Sequence, residues 1–167
     1  EGTRQAVYAG QSAANFKRKM KNEKDSISTM QKTEEEYGIS ISECMTHLTD
    51  QLGNRCNEQI SFSGELLTNG DQIYLNPMVF PDETETPFTK ASRKFPVEFP
   101  YAQTVNVNTI LTLPEGYVVE ELPASARGTM NHNELSYSYI IRQDGNKVTL
   151  QYKANINTPF IAPEQYE

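Results

Sequence analysis

A chain of 167 residues suits one domain, or one domain with a short helical lead-in, and can bury a core without metal or disulfide staples. Hydrophobic residues at 37% and charged residues at 22% fit a folded chain with wet loops and exclude wholesale disorder. The formal net charge of −7 argues against nucleic acid as partner, because phosphates need a positive field. No apolar run approaches the length of about 18 residues that a membrane-spanning helix needs.

The first third is expected to be helical. Ala13, Phe16 and Met20 recur at three- and four-residue spacing, with Ser12 placed to cap that run. Asp25 or Ser26 starts a second helical stretch carrying Ile27 and Met30. It runs through Glu34-Glu35-Glu36 and stops at Tyr37-Gly38. The apolar stripe is thin, so these helices need another surface to pack on. The basic run Lys17-Arg18-Lys19-Met20-Lys21 has Glu23 and Asp25 close by and reads as the solvated face of a helix.

From Gly38 the period changes to two. Ile39 and Ile41 alternate with Ser40 and Ser42 in a strand, and Gly53-Asn54 is a turn. Ile60, Phe62 and Glu65-Leu66-Leu67 make a second strand. Asn69-Gly70-Asp71 turns the chain into a short third strand at Ile73-Tyr74-Leu75. Pro77, Pro81, Pro87 and Pro96 mark a long loop from Asn76 to Phe99, with an edge strand near its end. Val105, Val107, Thr109, Leu111 and Leu113 then alternate with Asn106, Asn108, Ile110 and Thr112, and Pro114-Glu115-Gly116 turns the chain. Tyr117 to Leu122 is expected to be extended. Leu135 to Gln143 and Asn146 to Ile156 flank Asp144-Gly145, a strong hairpin signal. Nine Tyr and seven Phe suit half-buried pleated surfaces. The expected fold is mostly β, an antiparallel β-sandwich preceded by one or two short α-helices. Residues 1–37 are the helical lead-in and 38–167 the β domain.

No set of residues completes a catalytic constellation. Nucleophilic catalysis needs a nucleophile, a base and an orienting group within hydrogen-bond reach. Cys44 and His47 are three apart, and on a strand they point to opposite faces. His132 sits in a turn-like polar cluster, Asn131-His132-Asn133. Cys44 and Cys56 make neither a zinc site nor a disulfide framework, although one bridge between neighbouring strands is compatible with their spacing. The acidic knot Asp82-Glu83-Thr84-Glu85 lacks the alternation and the glycine of a calcium loop. Glu115, Glu120 and Glu121 offer no selected pair for glycoside hydrolysis. The residues therefore name no catalytic, cofactor-binding or metal-binding site and no cofactor. The tyrosine-bearing strands could serve as a sugar-stacking platform, but such rings more often pack in cores and at edges.

Four short motifs come in order: Gly70-Asp71-Gln72-Ile73-Tyr74-Leu75-Asn76-Pro77, then Pro87-Phe88, then Arg93-Lys94-Phe95-Pro96-Val97-Glu98-Phe99, then Leu113-Pro114-Glu115-Gly116-Tyr117-Val118-Val119-Glu120-Glu121-Leu122-Pro123. From about Gly38 to Tyr166 the chain resembles the C-terminal domain of unknown function that follows the core of Gram-negative bacterial transglutaminase-like proteins. The resemblance implies an exported, periplasmic or cell-envelope protein whose Cys-His-Asp triad lies upstream. Neither Cys44 nor Cys56 lies in a motif matching that family's nucleophile, so no catalytic residue carries over. The chain begins without an initiator Met or signal peptide, and is expected to be a trimmed chain or an internal piece of a longer one. The expected role is a non-catalytic accessory domain that packs on or orients the upstream transglutaminase-like core of the same polypeptide. The alternative is an independent glycan- or peptide-binding module. No nucleic acid, and no transmembrane segment of its own, is expected.

Overall fold

The computed structural model describes residues 1–21, 23–48, 54–81, 92–130 and 132–165. The chain forms two compact units, Glu1–Leu75 and Asn76–Glu167. It is mostly antiparallel β-sheet with two short α-helices, the class its periodicity predicts.

The first unit opens with a strand, β1 (Gly2–Ala9), where a helical segment was expected. Its inward positions are Gly2, Arg4, Ala6 and Tyr8, while the apolar Val7 faces solvent. That inversion hides the period-two signal. Then come α1 (Gly10–Lys19), α2 (Glu23–Tyr37), β2 (Ile39–Leu48) and β3 (Arg55–Gly64). Ser12 lies inside the first turn of α1 and caps nothing. The N-cap is Ala9, without a side-chain hydrogen bond, and Gly10 supplies the positive φ of 56° at which the strand bends into the helix. Lys17, Arg18 and Lys19 fill the last turn of α1, where cations oppose the negative end of the helix dipole. At the end of α2, Gly38 has φ 62°, the left-handed stop that Tyr37-Gly38 promised.

Strand β3 is central, with β1 and β2 paired antiparallel on either side. Helix α1 packs on β1 and β3, and α2 packs on β2. The register places Tyr8 opposite Cys56, Ala6 opposite Glu58 and Arg4 opposite Ile60 on the inner face. Ala13, Phe16, Met20 and Cys56 form the buried cluster, with Tyr8 packed against it. Fully burying a ring such as Phe16 stabilises by roughly 1.5–3 kcal/mol relative to leaving it exposed. The segment 1–37 is thus joined to 38–64 by strand pairing and helix packing, and the compact units part after Leu75.

Beyond β3, a separate two-stranded hairpin is made by β4 (Leu67–Asn69) and β5 (Gln72–Tyr74), turning through Gly70 at φ 60°. The expected second strand therefore ends at Gly64, and Leu67 belongs to the next one. The Gly53 half of the expected Gly53-Asn54 turn lies outside the described residues.

The second unit contains β6 (Val97–Glu98), β7 (Gln103–Thr112), β8 (Ala126–Met130), β9 (Leu135–Asp144), β10 (Lys147–Ile156) and β11 (Phe160–Ile161). Four of these form an antiparallel sheet in the order β7-β10-β9-β8, and β6 pairs with β11. One face of the large sheet carries Val105, Val107, Leu111, Ile141, Val148, Leu150 and Tyr152, with Leu150 fully buried. Tyr117 to Leu122 forms no strand, and the unpredicted β8 follows it instead. Val118 is 85% exposed, so the apolar run there is not evidence of burial.

The hairpin turn is Gly145-Asn146, one residue later than expected, because Asp144 pairs with Lys147. Gly145 has φ 57° and Asn146 is not left-handed, the pattern of a II′ turn with glycine first. A turn at Asp144-Gly145 would slide each cross-strand partner by two residues without changing faces, so alternation alone cannot separate the two registers.

Candidate functional surfaces

The two thiols lie on the helix-covered face of the first unit's sheet but are not partners. Cys44 stands opposite Ile60, whereas Cys56 stands opposite Leu48. Four residues of strand therefore separate them, about 13 Å, beyond disulfide reach. Both are free. His47 is exposed on the opposite face from Cys44, as strand spacing requires, and His132 lies in the second unit with φ 53°. Burial pushes the Cys44 thiol up from its ordinary value, and the Glu58 charge adds to it. Burial also pushes the Cys56 thiol up, Lys17 pulls it down and Glu58 raises it. The Cys56 Sγ points at the Ala13 carbonyl oxygen, 3.9 Å away. Raised thiols are the reverse of the depressed pKa that activates a nucleophilic cysteine.

The structure assembles a polar triad that the sequence reading missed. Arg4 Nη1 donates to Glu58 Oε2 at 2.6 Å, and the Tyr8 hydroxyl donates to the same oxygen at 3.2 Å. Arg4 Nη2 donates to the Tyr8 oxygen at 3.3 Å. Burial works against the Arg4 charge, but Tyr8 and Glu58 offset it and raise its pKa. Burial also lifts the Tyr8 phenol to about 12; Arg4 acts against this shift and Glu58 with it. The Tyr8 ring stacks on Phe16 with centroids 4.4 Å apart and planes 14° from parallel. The register could have signalled the triad only once β1 was known, since Arg4 and Glu58 are 54 residues apart. The group is an ion pair joined by the Tyr8 phenol, whose ring lies against α1. Its side chains retain 29% and 11% exposure.

Glu115, Glu120 and Glu121 are all exposed, and the strand that would have set their facing does not form. Asp82–Glu85 and the Pro87-Phe88 motif lie outside the described residues. Among the described residues no three His, Cys, Asp or Glu side chains gather as metal ligands. A shallow depression on α2 is lined by Lys24, Ile27, Ser28 and Gln31 and contains no tyrosine.

The most apolar exposed element is the β4–β5 hairpin. Leu67 is 78% exposed, Tyr74 55%, Leu66 47% and Ile73 40%. Its two strands form a sheet of their own among the described residues. Two-stranded hairpins are marginal by themselves in water, and this one exposes Leu67, Ile73 and Tyr74, with Leu66 just before it.

Comparison with known families gives one match. The model of a domain of unknown function, DUF3858, covers residues 71–167. No curated protein and no solved structure matches the chain. The match begins at the β4–β5 turn and spans the whole second unit, a shorter stretch than the resemblance from Gly38 suggests. Over more than half its length, therefore, the chain belongs to the DUF3858 family of domains of unknown function.

Proposed function

We propose that the chain is a non-catalytic accessory module of an exported, cell-envelope transglutaminase-like protein of a Gram-negative bacterium. In this reading it packs on and orients a catalytic core carried upstream on the same polypeptide. The observation that carries the reading is the β4–β5 hairpin, a two-stranded sheet of its own among the described residues, which with the preceding Leu66 presents Leu67, Ile73 and Tyr74 to solvent. Apolar surface of this kind gains free energy by leaving water, at roughly 25 cal/mol per Å². Contacts between domains of one chain are modest in area, about 600–1,500 Å², which a hairpin and its flanks can supply. The family match and the motif series support the context, and the raised thiols favour a non-catalytic role.

The test is calorimetric titration of the chain into the separately expressed upstream core of its parent reading frame. Micromolar or tighter binding with a negative heat-capacity change is expected. The substitutions Leu67→Ser and Tyr74→Ser together should weaken it at least about tenfold while leaving the thermal unfolding of the chain alone unchanged. Absence of heat at high concentration, or full binding by the double variant, would overturn the reading.

A further inference from the structure

The two faces of the β7-β10-β9-β8 sheet differ in kind. The inner face is mostly apolar. The outer face carries Arg127, Arg142, Lys147 and Lys153 against a single carboxylate, Asp144, which stands opposite Lys147 at the turn. All five of these residues are exposed. The four cations make no ion pair with a described residue. This positive surface sits on a chain of net charge −7. The other described acids of the second unit are off this sheet: Glu98 on β6, Glu115, Glu120 and Glu121 between β7 and β8, Glu134 in the β8–β9 turn and Glu164 after β11.

Beside Arg127 and Lys153 lie short hydroxyl and amide side chains. Register places Asn106, Lys153, Ser138 and Arg127 in one row across the four strands, with Thr104, Asn155, Ser136 and Thr129 in the next. The second row is already ordered. Thr104 Oγ1 donates to Asn155 Oδ1 at 3.1 Å, and Asn155 Nδ2 donates to Ser136 Oγ at 3.0 Å. The face is about 30 Å long and about 14 Å between its outer strands. It presents no aromatic ring, so bases and neutral sugars have nothing to stack on. Its apolar residues are Ile110 and the half-buried Ile140, too few for the apolar core of a protein–protein interface.

We infer that this face binds an acidic, hydroxyl-rich polysaccharide, its carboxylates meeting Arg127, Arg142, Lys147 and Lys153 and its hydroxyls the Asn, Ser and Thr rows. The site is independent of the β4–β5 hairpin, and its failure would leave the accessory reading untouched.

Affinity electrophoresis of the full chain through gels containing polygalacturonate, dextran, poly-glutamate or single-stranded DNA tests it. Polygalacturonate should retard the chain at low salt, with the retardation fading as salt screens exposed charges, and the other three polymers should retard it less. Arg127→Gln with Lys153→Gln should weaken polygalacturonate binding roughly tenfold, since two exposed charge contacts are lost. Lys24→Gln with Lys32→Gln on α2 should leave it unchanged. Thermal unfolding of each variant verifies that these exposed changes preserve the fold. The proposal fails if polygalacturonate does not retard the chain, or if single-stranded DNA or poly-glutamate retards it equally. It also fails if both double variants behave alike.

Discussion

The ring of Tyr137 occupies the space where a side chain on Gly128 would stand. The two residues are direct cross-strand partners on β8 and β9, and a β-carbon at Gly128 would overlap Cε1 of Tyr137. The same device recurs at Gly2, where the Phe62 ring tip lies 2.8 Å from the corresponding point. In both cases an aromatic on an inner strand covers a glycine on an edge strand, shielding backbone that glycine leaves bare. Gly128→Ala should therefore destabilise the second unit by about 1 kcal/mol, because the ring must swing off the sheet. In a Tyr137→Ala background the same substitution should cost little, and the double-mutant cycle of denaturant midpoints should show the coupling.

The stack of Tyr8 on Phe16 ties β1 to α1 in the first unit. Phe16 is 7% exposed, at the centre of a cluster with Ala13, Met20 and Cys56. Phe16→Ala removes the ring and leaves a cavity that helix and sheet cannot both close over, a loss of about 3–5 kcal/mol. That is a large share of the stability of a small unit. Urea unfolding should show its transition moved to much lower denaturant. Phe16→Leu, which keeps most of the volume, should lose far less.

What the sequence made legible follows from where its signals are local. Ala13, Phe16 and Met20 announce α1 because a helix repeats its buried face within a few residues. The alternation from Val105 to Leu111 announces β7 for the same reason. Strand β1 was illegible because its inward side is Gly2, Arg4, Ala6 and Tyr8, and Arg4 meets Glu58 there from a strand distant in sequence. The polar triad was hidden with it. The cation face of the large sheet was present as letters, but Arg127 and Lys153 came into one row, on either side of Ser138, only through the pairing of β8, β9 and β10.

The Gly145-Asn146 turn shows the same limit at the scale of one residue. Composition marks a tight turn near Asp144-Gly145, but the pairing of Asp144 with Lys147 decides which two residues form it. Gly145→Ala forces a β-carbon into φ 57° and should cost about 1–2 kcal/mol. Asp144→Ala, at a strand position with an exposed side chain, should change stability by less than about 0.5 kcal/mol. Equal costs at the two positions in thermal unfolding would place the turn one residue earlier.

The Tyr8 phenol makes the first unit sensitive to alkali. In the folded chain it stays neutral until about pH 12, whereas the unfolded chain ionises tyrosine near its ordinary value of 10.0. Between those values the unfolded state gives up a proton that the folded state retains. The contribution is therefore complete below pH 10 and is lost as pH rises towards 12. Cys44 and Cys56, raised from their ordinary 9.0, start the decline earlier in the same direction. Tyr8→Phe should lower stability at pH 7 by about 1 kcal/mol, through loss of its hydrogen bonds to Arg4 and Glu58. It should also flatten the profile between pH 10 and 12. Denaturant midpoints measured from pH 7 to 12 on both proteins decide the matter, and parallel curves above pH 10 would mean that the phenol is not held neutral beneath α1.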